Sequence, residues 1–118
     1  MHELSLVQSI FASLREELPP EEMAQVAVVE LKIGLLANVE PLLLQNAFKA
    51  YQETHPEYQA IQLMTNMVEI TIKCPACHKT STVANYIFRC GYCGTPSNQI
   101  ETGEELLIHK IHYHEKIP

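Results

Sequence analysis

Four cysteines carry the clearest chemistry in this sequence. Cys74-Pro75-Ala76-Cys77 is followed, after twelve residues, by Cys90-Gly91-Tyr92-Cys93. The spacing C-x2-C-x12-C-x2-C is that of a zinc ribbon. Two residues between cysteines let a tight turn aim both sulfurs at one point, and two such turns supply four thiolates in a tetrahedron. A closed all-thiolate site suits Zn(II) in a structural role. A rubredoxin-type iron site uses the same ligands, so the spacing fixes the donors rather than the element. Two disulfides would need an oxidising compartment. Cys74-Pro75-Ala76-Cys77-His78 also fits the C-x-x-C-H pattern of haem attachment, but that use strands Cys90 and Cys93. His78 instead occupies the turn slot that Gly94 fills after the second pair, a position that favours a left-handed backbone.

The second chemical feature is the start, Met1-His2-Glu3. The terminal amine, the His2 amide nitrogen and the His2 imidazole can chelate one metal in a plane. Planar nitrogen coordination suits Ni(II) or Cu(II). The bulk of His2 is expected to protect Met1 from removal. On chemistry alone, a histidine without function at a frayed terminus is the competing reading. His112 and His114 are two apart on a strand and share a face, where a solvated pair is the simpler reading than a metal site. His109 reads as a tolerated sheet residue, and His55 sits in a loop with no partner in the sequence. Ser5 and Ser9 have no recognisable base. No phosphate loop, G-x-S-x-G or H-E-x-x-H occurs, and the expectation is a protein that is not an enzyme.

Helices and strands must hold these groups. Leu4, Val7, Ile10, Phe11, Leu14 and Leu18 recur at helical spacing until Pro19-Pro20. Ala27, Val29, Leu31 and Ile33 then alternate with Glu30 and Lys32, a half-buried strand stopped at Gly34. Asn38 is the expected N-cap of a second helix, with Pro41 in its first turn and Leu43, Leu44, Ala47, Phe48 and Tyr51 on its apolar face. Residues 60–72 form a long strand with a parity fault: Ile61, Leu63 and Met67 are odd, Val68, Ile70 and Ile72 even. A bulge or bend is expected there. Leu106–Tyr113 is a final strand, too short to stand alone and expected to return to the first sheet. The fold class is therefore α+β, a two-helix, three-stranded-sheet domain over residues 1–72 plus 104–118, with a zinc-ribbon-like module inserted at 73–103.

Composition limits the partners. The chain has 118 residues, 47% of them apolar, enough for one modest core. No run of ~18 apolar residues offers a membrane span. Glu3, Glu16 and Glu17 interrupt the start, and no basic n-region precedes an apolar one, so no secretory signal is expected and the location is cytoplasmic. The net charge of −6 disfavours nucleic acid. It is unevenly spread: residues 1–72 hold 3 basic and 10 acidic side chains, whereas 73–102 hold Lys73, Lys79 and Arg89 against Glu101. A zinc-ribbon adaptor for nucleic acid or protein is the alternative that this basic segment keeps open.

Taken together, these residues resemble the HypA/HybF nickel metallochaperones. The resemblance lies in Met1-His2-Glu3-Leu4-Ser5, in Val29-Glu30-Leu31-Lys32-Ile33-Gly34, in Val39-Glu40-Pro41 opening a helix, in the paired cysteine motifs, and in Gly103-Glu104-Glu105-Leu106. It spans nearly the whole chain. It implies a nickel domain with an inserted four-cysteine zinc domain, and delivery of Ni(II) during maturation of NiFe-hydrogenase, in some organisms also urease. It implies a HypB-type GTPase and the hydrogenase large-subunit precursor, or its maturation complex, as partners. His2 is then the essential nickel ligand, Glu3 a second amide donor and partner contact, and Glu40 an acidic residue near that site. Cys74, Cys77, Cys90 and Cys93 match the zinc ligands. His78 departs from the family, which has glycine there. Oligomeric state stays open between a monomer and a homodimer, with the hinge at 67–73 allowing a domain swap.

Overall fold

The computed structural model describes residues 3–114; the expectation for His2 lies outside them. Helix α1 (Glu3–Glu17) buries Leu6, Val7, Ile10, Phe11 and Leu14. Leu6 takes the place expected of Leu4, which is exposed. Pro19 stops α1, but Pro20 opens a one-turn helix α2 (Pro20–Met23), an element the two-helix expectation lacks. Proline is tolerated there because the first turn needs no N–H. Strand β1 (Val26–Gly34) buries Val29, Leu31 and Ile33 and keeps Glu30 and Lys32 half-buried, as its alternation predicts.

Asn38 is not the cap of the next helix. It ends a 3-10 turn (Leu35–Ala37) in the left-handed region, at φ 58°, a conformation asparagine adopts more readily than most residues. The cap of α3 (Pro41–Thr54) is Glu40, whose carboxylate accepts a hydrogen bond from the Leu42 N–H. Leu44, Phe48 and Tyr51 form the buried face of α3, while Leu43, expected there, is exposed.

The parity fault is a change of sheet. β2 (Gln62–Val68) lies beside β1, and β6 (Leu106–Tyr113) lies on the other side of β1, in the order β2-β1-β6. β3 (Thr71–Lys73) begins three residues after β2 but sits at the centre of a second sheet. There it pairs antiparallel with β4 (Thr80–Thr82) and β5 (Ile100–Thr102). Its register with β5 shifts between Thr71 and Ile72, a bulge that bends the short sheet.

The chain divides into two units: residues 3–31, 39–66 and 107–114 in one, residues 32–38 and 67–106 in the other. In the first, α1 packs on α3. The Phe11 ring stacks on Tyr51 at 4.4 Å and on Phe48 at 5.3 Å. Arg15 donates to the Tyr51 hydroxyl at 3.1 Å. The second unit has a smaller core of Ile70, Ile72 and Val83, with Leu36, Phe88 and Ile100 packed on it. It reaches beyond the four-cysteine segment because residues 34–36 bond to its end. Gly34 N–H donates to the Glu105 carbonyl at 2.7 Å, and Leu36 N–H to the Gly103 carbonyl at 2.8 Å. A Cβ at Gly34 would fall inside the Gly103 carbonyl group, so only glycine fits this crossing. Among the described residues, no helix is long and apolar enough to cross a membrane.

Candidate metal centre

The four cysteines sit on two copies of one turn. In the first, the Cys74 N–H donates to the Lys79 carbonyl at 2.9 Å and the His78 N–H to the Cys74 carbonyl at 3.0 Å. In the second, the Cys90 N–H donates to the Thr95 carbonyl at 2.9 Å and the Gly94 N–H to the Cys90 carbonyl at 3.0 Å. His78 and Gly94 both take the left-handed backbone, at φ 62° and 76°, as their shared slot predicts. Each turn also aims N–H groups at its first sulfur. Ala76 and Cys77 donate to Cys74 Sγ at 3.3 and 3.4 Å, and Tyr92 to Cys90 Sγ at 3.4 Å.

The sulfurs converge. Cys74 and Cys93 Sγ are 3.5 Å apart, Cys77 and Cys90 Sγ 3.6 Å, and all four lie within 4.8 Å of one another. A tetrahedron with metal–sulfur bonds of about 2.3 Å has edges of about 3.8 Å, so the donor set fits a four-thiolate metal. Two disulfides would instead place sulfurs in pairs at about 2.0 Å, and the cysteines are free. The convergence of all four also removes the haem reading, which left Cys90 and Cys93 unused. Cys74 and Cys90 are buried and Cys93 is exposed. The Cys77 and Ala76 N–H groups lower the Cys74 thiol, and the Cys93 and Tyr92 N–H groups bring Cys90 down to about 6. At Cys77 the Lys79 N–H also favours the thiolate, but burial and the neighbouring thiols push it up to about 11. Four thiols at this spacing share protons until a cation replaces them. Among the described residues this is the only cluster of three or more histidine, cysteine or acidic side chains with metal-binding geometry.

The other expected site residues are dispersed. Glu3 opens α1, and its backbone N–H is one of the helix's first four, which have no partner within the helix. Glu40 is exposed and caps α3, a structural task that accounts for an acid at that position. His55 is not without a partner. Its ring stacks on Tyr51 at 4.0 Å, and Nδ1 lies 2.9 Å from the Tyr51 carbonyl at the end of α3.

One cluster was not foreseen. The His112 imidazole meets the Glu30 carboxylate across the first sheet, and Asn66 Nδ2 donates to the same carboxylate at 3.1 Å. His112 first, then Asn66, lowers the Glu30 pKa below its ordinary value. Sequence shows that His112 and His114 share a face, but not which residue of a neighbouring strand stands beside them.

A family model described as hydrogenase/urease nickel incorporation, metallochaperone, HypA, matches residues 1–113. The hydrogenase maturation factor HypA of Desulfitobacterium hafniense is 33% identical over 115 residues, covering 98% of this chain and all of that protein. HypA of Acidithiobacillus ferrooxidans is 36% identical over 112 residues, 94% of this chain and 97% of its own. The solution structure of the nickel metallochaperone HypA from Helicobacter pylori superposes with a TM-score of 0.66 at 20% identity, over 98% of this chain and 100% of that one, a likeness of fold.

Proposed function

This chain belongs to the HypA family of hydrogenase/urease nickel-incorporation metallochaperones, and we propose from that premise that it binds Ni(II) at its N-terminus and hands it to a maturing enzyme. The client is a NiFe-hydrogenase; urease, which the family serves in some organisms, is the other candidate. The observation that carries the reading is that the family match begins at residue 1, on Met1-His2-Glu3. The ligands are the terminal amine, the His2 imidazole and amide, and the Glu3 amide. The orphan N–H of Glu3 at the start of α1 supports this, since an amide bound within the helix could not be deprotonated for a metal. Such ligands detach one at a time, so nickel passes to the next site without being free. The amides must lose protons, and nickel binding weakens as pH falls. The family likeness implies Glu40 as a further acid near that site.

In this reading the nickel domain is 1–72 plus 104–118, and 73–103 is the inserted zinc domain. Cys74, Cys77, Cys90 and Cys93 hold Zn(II), which supplies closed tetrahedral coordination and no open position for reaction. The chain transfers metal rather than catalysing a reaction, and it works in the cytoplasm. Its partners are a HypB-type GTPase and the hydrogenase large-subunit precursor.

The test is a nickel titration of the protein with its native N-terminus beside His2→Ala, with zinc quantified in both. One nickel per chain with a planar d–d band, lost in His2→Ala while one zinc remains, is the expected result. Equal nickel binding by the two proteins, or none by either, would sink the reading.

A further inference from the structure

To a reagent arriving from solvent, the four sulfurs are not equivalent. Cys74 is 1% exposed and Cys90 5%, whereas Cys77 is half-buried and Cys93 exposed. The backbone treats them differently too. The Ala76 and Cys77 N–H groups point at Cys74 Sγ, the Tyr92 N–H at Cys90 Sγ and the Lys79 N–H at Cys77. Such bonds stabilise a thiolate and so weaken it as a nucleophile. Cys93 Sγ meets the Thr95 hydroxyl at 3.2 Å, a rotor that can turn away.

Cysteines that hold a cation are thiolates, and oxidation selects the thiolate that solvent reaches. The neighbour needed to complete an oxidation is also in place. Cys74 Sγ, on the other turn, lies 3.5 Å from Cys93 Sγ, and Cys77 and Cys90 make a second cross-turn pair at 3.6 Å.

We propose that Cys93 is a peroxide-reactive site, at which one hydrogen peroxide closes a Cys74–Cys93 disulfide and discharges the zinc. The inference rests on the reading of the four cysteines as a zinc site. The Cys93 thiolate attacks one peroxide oxygen. An S–O bond forms, the O–O bond breaks, and the hydroxide that leaves takes a proton to become water. The sulfur, now a sulfenic acid, has given two electrons to the peroxide. The Cys74 thiolate then attacks the Cys93 sulfur. An S–S bond forms, the S–O bond breaks, and a second hydroxide leaves and is protonated to water. Two thiolates, one peroxide and two protons thus give one disulfide and two waters. Two of the four donors are gone, and closed tetrahedral coordination is lost with them. The disulfide joins the two turns instead of closing one of them, so a dithiol reductant returns both donors to the same place.

The test uses the full chain, reduced, zinc-loaded and free of nickel, with one equivalent of hydrogen peroxide. A chromogenic chelator reads zinc, dimedone traps sulfenic acid, and mass spectrometry maps disulfides. The expected result is dimedone on Cys93, a Cys74–Cys93 disulfide when dimedone is left out, about one zinc released per disulfide formed, and zinc taken up again after dithiothreitol. Cys93→His keeps a fourth zinc donor without an oxidisable sulfur. It should release zinc about tenfold more slowly than wild type, while Cys77→His keeps the wild-type rate. Dimedone on Cys74, Cys77 or Cys90, a disulfide within one turn, release from Cys93→His at the wild-type rate, or zinc retained by the wild type would each overturn the proposal. Where Cys93→His takes up no zinc, the dimedone and disulfide maps of the wild type decide alone. A chain purified with iron in place of zinc defeats the zinc reading instead, and the same two maps still decide whether Cys93 reacts first.

Discussion

The two units are held by different physics. The helical unit stacks Phe11 against Phe48 and Tyr51 and buries a stripe from each of α1 and α3. The four-cysteine unit has three short strands, a core cluster of only Ile70, Ile72 and Val83, and four converging sulfurs. A core that small offsets little ordering entropy. The first unit is therefore ordered by apolar burial, the second by its ligands and a few backbone bonds.

Removing the metal is the strongest way to break that contrast. Structural zinc sites contribute ~10–16 kcal/mol in small domains. Chelation, or Cys90→Ser, is expected to unfold residues 67–106 while the signals of α1 and α3 persist; site-resolved NMR checks this, and cooperative loss of both units contradicts it. The converse change is Phe11→Ala, which should cost about 3–5 kcal/mol. Urea unfolding followed by helical circular dichroism measures it, with metal content unchanged. Gly34→Ala sharpens the boundary. A Cβ there would lie 2.0 Å from the Gly103 carbonyl carbon and oxygen, backbone atoms that cannot turn aside, so the cost reaches at least the upper end of the about 1–3 kcal/mol of ordinary core overpacking. Hydrogen exchange should rise first at Leu36, whose N–H bonds to that carbonyl.

The smallest effect belongs to Glu30. Its pKa is lowered, so the stability it contributes is present above the ordinary carboxylate value and is lost as pH falls through the lowered one. Glu30→Gln should be less stable than wild type near neutrality and converge with it in acid. A urea-midpoint series across that range reads this, and parallel curves would remove the carboxylate from the account.

Much of this was legible because the governing constraints are local. The cysteine spacing shows the metal site, because each pair closes its own turn. Glycine and histidine in matching slots show the paired left-handed residues. The period-two pattern shows β1. What was illegible depends on distant neighbours. The parity fault near Val68 marks a break, but not that the chain changes sheets. Asn38 suits a cap by residue type, and only the backbone shows that it ends the preceding turn while Glu40 takes the cap. The Glu30–His112 pair joins residues far apart in the chain. Gly34 and Gly103 are separate family landmarks in the sequence, and the structure makes them two halves of one crossing.

The nested order of the strands has a consequence for how the chain folds. β6 must find β1 after the whole four-cysteine segment has been synthesised. Between β2 and β6 lie roughly forty residues, and ring-closure entropy grows with that length. A cation joining Cys74 to Cys93 short-circuits about half of them, and each halving of a loop is worth about 0.6 kcal/mol. Metal captured early thus shortens the search by which the last strand completes a sheet to which the cysteines contribute no residue. A four-thiolate site loaded before β6 forms would thus lower the entropic cost of completing the first sheet as well as support its own unit.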